Sequence, residues 1–253
     1  TNHHEIQVTP ADVEACFDQV VWHMDEPIAN HVQPATYLLA KEARKRITVA
    51  LGGDGGDELF GGYPRYWYQQ KIERLHSIGL GYPAGLLALL VPGSKMGRYA
   101  TLLGKGWGPE RHLAFLLQKE RDVHRLLRSA HQTDVCDALH EIFDVFFQKR
   151  WRDKVNQSMA IDLGTWLPDE SLMRSDKMTM AHGLEQRVPL LDLDMVKYSS
   201  SIPSAWKLGT REQGKRILLD AWRHKIPPHV IRQEKRAFMS PAAKWIRGPL
   251  HSF

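Results

Sequence analysis

The chain has 253 residues, 43% hydrophobic and 25% charged, a globular mix long enough for a sizeable core in one large or two ordinary domains. Its 34 Lys and Arg against 29 Asp and Glu leave a formal charge of +5, a modest excess that suits a polyanionic ligand such as a nucleotide and equally a scatter of solvated side chains. The two cysteines, Cys16 and Cys136, lack CxxC spacing, which excludes a disulfide framework and a zinc site and points to a reducing, cytoplasmic setting; no apolar run approaches the ~18 residues of a membrane span.

In chain order, "EIQV" predicts a short strand, followed by Thr9 as N-cap, Pro10 at the first helical position and a helix to about His23 that Pro27 stops. Thr1 stands where a start would carry Met, and the chain runs at once into this strand pattern, so it is expected to be a piece of something longer. "QPATYLLAKEARKR" places Tyr37, Leu38, Leu39 and Ala43 at helical spacing, with a cationic end suited to a helix C-terminus. "ITVALG" then predicts a strand buried on both faces of a parallel sheet. Strand, helix, helix, strand makes an α/β layered unit. Residues 71–150 read as a helical excursion with apolar patches such as "HLAFLLQ" and "ALHEIFDVFF". Beyond it, helices are predicted near 156–165, 170–182, 193–200, 212–223 and 240–247, with no internal repeat and no low-complexity linker.

"LGGDGGDELFGGYPRY" sits at the carboxyl end of the predicted strand, ahead of a helix starting near Asp57, the edge at which open parallel sheets bind ligands. Within it "GGDGGDELF" matches one calcium-binding nonapeptide, but that architecture needs at least three stacked copies and the chain has one. The Walker pattern and GxGxxG are both absent. A plain strand-to-helix turn accounts for glycine freedom and for acids in a first helical turn. Two features go further. Glycines at 52, 53, 55 and 56 clear both flanks of Asp54, so that a ligand could reach backbone N–H groups. Asp54, Asp57 and Glu58 put carboxylates at the same edge, and carboxylates tolerate phosphate when Mg²⁺ intervenes.

That loop, with "SLMRSDKMTMAHGLEQRVPLLD", "REQGKRILLDA" and "VIRQEKRAFMSPAAKWIRGPL" in the same order, resembles the synthetase domain of glutamine-hydrolysing asparagine synthetases. The likeness spans nearly the whole chain and is weakest over 71–150. It implies an ATP-pyrophosphatase-type fold, similar to the adenine nucleotide alpha hydrolases, with a parallel sheet, flanking helices and a largely helical C-terminal half. On that likeness, 1–70 is the sheet-containing ATP and Mg²⁺ side, 71–150 the helical excursion and 151–253 the substrate and pyrophosphate side. The implied activity is that of a ligase: ATP adenylates the side-chain carboxylate of aspartate, and ammonia, drawn from glutamine, displaces AMP.

Residue by residue, the resemblance makes Asp57 the magnesium ligand and turns the backbone of Gly52 and Gly53 to ATP. Asp54 matches an acid, often Glu, that positions ammonia or takes its proton; Asp is one methylene shorter, and Gly52 stands where many members have Ser. Tyr63 falls on the acceptor side. Lys215, otherwise read as an exposed helical lysine, matches the group that contacts leaving pyrophosphate. Arg174 and Lys177 fall near the substrate carboxylate and, three apart, share a helical face. Glu185 and Arg187 are expected to form a buried structural pair, and His182 to be a packed histidine.

The family's SGGxDS phosphate loop and the glutaminase domain with its terminal cysteine do not occur here: Thr1 is not Cys, and Cys16 lies in a predicted helix. The segment alone is therefore expected to be inactive, and the functional reading concerns a full-length parent, for which a homodimer is compatible. Alternatives keep the fold with another carboxylate acceptor (a surface polysaccharide, a β-lactam or a peptide) or make the chain a non-catalytic interaction module. The basic clusters "KEARKR" and "KRWRDK" are accounted for by helix ends and solvated faces, so nucleic acid is not expected as a partner, and the lack of a long apolar run leaves a membrane unexpected too.

Overall fold

The computed structural model describes residues 2–27, 30–89, 102–104, 106–113, 141–148, 151–210, 213–231, 233 and 238–251. Cys136, most of "HLAFLLQ", the start of "ALHEIFDVFF" and the first residues of "REQGKRILLDA" lie outside them. The helices are α1 Pro10–Met24, α2 Gln33–Arg44, α3 Gly56–Phe60, α4 Pro64–Ser77, α5 Gly81–Leu89, α6 Pro109–Leu113, α7 Lys154–Gly164, α8 Met173–Met180, α9 Leu193–Ser201, α10 Ser204–Lys207, α11 Arg216–Trp222, α12 Pro228–Ile231 and α13 Ala242–Ile246. Strands β1 Val49–Leu51 and β2 Glu185–Arg187 pair in parallel, Ala50 opposite Gln186, giving a mixed α/β chain. Two compact units divide it, Thr1–Gly56 with Leu163–Val196 and Arg236–Phe253, and Asp57–Asp162 with Lys197–Lys235.

In the first unit α1 begins where the sequence places it. The Thr9 hydroxyl accepts the Asp12 N–H at 3.3 Å, and the Asp12 carboxylate accepts the Thr9 N–H at 2.8 Å, a reciprocal capping box with Pro10 just inside. Val13, Cys16, Val20 and Met24 form one buried stripe on α1. Cys16, Val20 and Met24 pack with Tyr37 of α2 and Met178 of α8, each large side chain contributing about 1.5–3 kcal/mol on burial. His182 is packed as expected, its ring 4.2 Å from that of Tyr37.

Four expectations fail here. Residues 5–8 form no strand, because among the described residues no neighbouring strand takes their backbone groups. Strand β1 is not buried on both faces: Val49 is 39% and Leu51 74% exposed, since among the described residues the sheet has two strands only. Glu185 and Arg187 do pair, at 2.8 Å, but on the surface, because both point away from Gln186 on a three-residue strand. The predicted helix over 170–182 is two elements, a π-helical turn Leu167–Leu172 leading into α8.

The second unit is held by polar anchors as well as by a core of Tyr66, Val155, Met159 and Leu208. Asp153 caps α7 by accepting the N–H groups of Val155 and Asn156 at 3.1 and 3.0 Å, and its other oxygen accepts the Ser204 N–H at 2.8 Å. Buried Lys207 donates to the Asn156 side-chain oxygen at 3.0 Å. Asp162, fully buried, accepts from the Tyr66 hydroxyl at 2.5 Å, pairs with Arg65 at 2.8 Å and lies 3.6 Å from His112. No described helix is long and apolar enough to cross a membrane.

Candidate functional site

The glycine loop carries residues into both units, and each set has its own geometry. In the first unit Gly52 continues the ladder of β1 by donating its N–H to the Arg187 carbonyl at 2.7 Å. A side chain on Gly52 would meet the Gln186 amide, since a Cβ there would stand 2.3 Å from Gln186 Nε2. Nothing lies within 4 Å of the same point on Gly53, so its backbone is open to approach. Asp54 is held at both oxygens: Ser171 Oγ donates to Oδ1 at 2.9 Å and Gln186 Nε2 to Oδ2 at 2.7 Å.

Arg174 and Lys177, on one helix, have separate partners. Arg174 Nε donates to Glu170 at 2.9 Å, and Glu170 also accepts from Asn30. Lys177 pairs with Asp25, which closes α1 in the left-handed region at φ 59°. That bond holds the Asp25 carboxyl below its usual range and raises the Lys177 ammonium.

In the second unit the structure brings Asp57 and Lys215 together. Lys215 Nζ lies 3.2 Å from Asp57 Oδ1, with both side chains largely withdrawn from solvent. Lys215 is not the helical lysine expected from sequence. It precedes α11 at φ 58°, ψ 34°, a left-handed conformation that costs a residue other than glycine about 1–3 kcal/mol and that clusters at functional sites. Glycine at 62 permits this approach, because a Cβ there would fall 1.7 Å from Asp57 Oδ1 and 2.6 Å from Lys215 Cε.

Glu58 departs from the expectation of a shared carboxylate edge. It is buried and accepts the Tyr63 hydroxyl at 2.7 Å, since the first turn of α3 points it inward. Burial raises its pKa, partly opposed by the Tyr63 bond. The Tyr63 hydroxyl is itself pushed far up by burial and then by Glu58. The Arg65 guanidinium lies 4.6 Å over the Tyr63 ring and 5.4 Å over that of Tyr66, within cation–π range.

Sequence reasoning missed Ser171, Gln186, Glu170 and the Asp162 cluster as partners. A signal existed for one of them: Gln186 is a neutral polar residue between two charges on a short strand, where an apolar side chain is more usual.

The chain matches known proteins along its whole length. The family described as asparagine synthase matches residues 1–253. Asparagine synthetase [glutamine-hydrolyzing] 1 of Bacillus subtilis is 30% identical over 253 residues, covering 97% of this chain and 39% of that protein. Asparagine synthetase [glutamine-hydrolyzing] 3 of the same organism is 24% identical, covering 94% of this chain and 34% of that protein. Amidase chry2 of Gibberella zeae is 22% identical, covering 98% and 40%. The chain thus spans between about a third and two fifths of the length of these relatives. With its glycine loop, its paired Asp57 and Lys215 and a match over every residue, the chain belongs to the asparagine synthase family.

Proposed function

We propose that the full-length protein carrying this chain makes an amide in two ATP-driven steps on an ATP-pyrophosphatase-type sheet. A carboxylate oxygen of aspartate attacks the α-phosphorus of ATP, forming a P–O bond as the bond to pyrophosphate breaks. Ammonia nitrogen then attacks the acyl carbon, the C–O bond to AMP breaks, and nitrogen loses a proton, giving asparagine, AMP and pyrophosphate. The first step turns an unreactive carboxylate into an acyl donor with a good leaving group.

The observation that carries this reading is the Asp57–Lys215 pair at 3.2 Å. A carboxylate and an ammonium that neutralise each other at a glycine turn are the two groups a metal–pyrophosphate ligand would separate, the carboxylate facing the cation and the ammonium the phosphate oxygens. Among the described residues no group of three or more His, Cys, Asp or Glu could hold a metal. A single carboxylate beside phosphate oxygens and water is nonetheless a usual Mg²⁺ arrangement, which Asp57 fits. When bound, the ion would neutralise charge on the leaving pyrophosphate. The open backbone at Gly53 suits ATP, and Tyr63, Arg174 and Lys177 are proposed for the acceptor side. Glutamine as ammonia source would enter through a partner domain outside this chain.

One observation favours a second acceptor: Arg174, assigned to the substrate carboxylate, is already engaged by Glu170. The same chemistry on another carboxylate accommodates that. ATP–pyrophosphate exchange in the full-length protein decides between them. Exchange dependent on aspartate and Mg²⁺ supports asparagine synthesis; exchange with another carboxylate but not with aspartate overturns it.

A further inference from the structure

We propose that Gln186 and Ser171 are positioning residues for Asp54, and that Gly52, Asp54 and Gln186 form one interdependent set. The inference rests on the reading of Asp54 as the group that receives the proton shed by nitrogen as the C–N bond forms and the C–O bond to AMP breaks.

Asp54 receives one donor on each oxygen, from different elements. Ser171 Oγ reaches Oδ1 at 2.9 Å from the π-helical turn, and Gln186 Nε2 reaches Oδ2 at 2.7 Å from the middle of β2. A carboxylate offers no proton to either, so the hydroxyl and the amide nitrogen must both donate. Two bonds at opposite oxygens block rotation of the carboxylate about its Cβ–Cγ bond. π-Helical turns occur often at functional sites, and here the turn supplies one of the two donors.

Gly52 completes the set through space. A Cβ there would lie 2.3 Å from Gln186 Nε2 and 3.1 Å from Asp54 Oδ2, so any side chain at 52 would displace the amide and disturb the carboxylate. Gly52 and Asp54 both border this amide. A shorter acid leaves room for a long amide, and the missing side chain at 52 admits it. β2 fixes the amide, since Gln186 is registered opposite Ala50, two residues before Gly52.

The test is steady-state kinetics of ammonia-dependent amide formation in the full-length protein. Gln186→Ala should lower kcat about tenfold to a hundredfold, the scale of a misplaced catalytic group, with the KM for ATP held within about twofold. In an Asp54→Asn background the same change should have no further effect. The reciprocal exchange Asp54→Glu with Gln186→Asn, which moves one methylene across the hydrogen bond, should recover most of what either change alone loses. Unaltered kcat in Gln186→Ala, or losses that add in the double variant, would overturn the proposal. Should Asp54→Asn itself keep full turnover, the role assigned to Asp54 fails first, and the positioning with it. If Gln186→Ala does not fold, the reciprocal exchange decides alone: no recovery relative to Asp54→Glu overturns the set.

Discussion

Lys215 and Asp57 face each other at 3.2 Å across a turn that only glycine at 62 leaves open. The pair is far apart in sequence, and Lys215 adopts a left-handed backbone to reach it. Gly62→Ala should therefore break the pair, because a methyl group would stand 1.7 Å from Asp57 Oδ1. Lys215→Met and Asp57→Asn should each lower ATP–pyrophosphate exchange in the full-length protein by about a hundredfold or more, the cost of removing a preorganised charge from a developing anion. Exchange within a few-fold of the parent in Asp57→Asn would remove it as a metal ligand.

Burial beside Asn156 pushes the Lys207 ammonium down to about 8 from 10.5, against the opposing pull of Asp153. The unfolded chain then holds that proton more tightly than the folded one. Between about pH 8 and 10.5 unfolding takes up a proton, so stability rises with pH, by an amount on the order of 3 kcal/mol for the whole shift. Urea denaturation of the wild type and of Lys207→Met across that window checks this. The variant should show a flatter dependence, and an equal slope in both would exclude Lys207 as its source.

His112 behaves as the acid-side counterpart. Burial lowers its pKa to about 4 from 6.5, although Asp162 at 3.6 Å opposes the shift. From pH 6.5 down to about 4 the unfolded state gains a proton that the folded state refuses, so stability falls as pH falls through that window. His112→Gln should reduce this loss in thermal melts recorded at stepped pH. A melt midpoint that drops with acid equally in both proteins would assign the loss to other groups.

Tyr63→Phe removes the hydroxyl that donates to the Glu58 carboxylate, a group already raised by burial. Leaving that acceptor without its partner should cost about 1–3 kcal/mol. Guanidinium denaturation measures it, and Tyr63→Phe combined with Glu58→Gln should cost less than Tyr63→Phe alone, because the neutral amide can pair elsewhere.

Local chemistry was legible where it is carried by neighbours in sequence. Thr9, Asp12 and Pro10 mark the start of α1 within one turn, and the helical spacing around Tyr37 marks α2. The glycine loop likewise announced a backbone laid open, as at Gly53. What could not be read are the partners chosen over distance. Ser171 and Gln186 reach Asp54 from 117 and 132 residues away, and nothing local tells a polar side chain which carboxylate it will find. Asp162 is similar: its partner Tyr66 lies 96 residues upstream. The strand at 49–51 was misjudged for a different reason. Its composition reports what could cover it, whereas exposure depends on whether another element does.

The parallel register of β1 with β2 also sets an order of assembly. Val49 meets Glu185, so the first unit cannot close its sheet, or bring Met178 to the α1–α2 pair, until the chain has been made well past residue 180. The whole continuous stretch Asp57–Asp162 of the second unit leaves the ribosome in the meantime. Through that interval Cys16, Val20, Met24 and Tyr37 have no lid, and contacts this distant in sequence form slowly. Both units therefore close late in synthesis, the first waiting for Met178 and β2 and the second for Leu208, although each begins early in the chain.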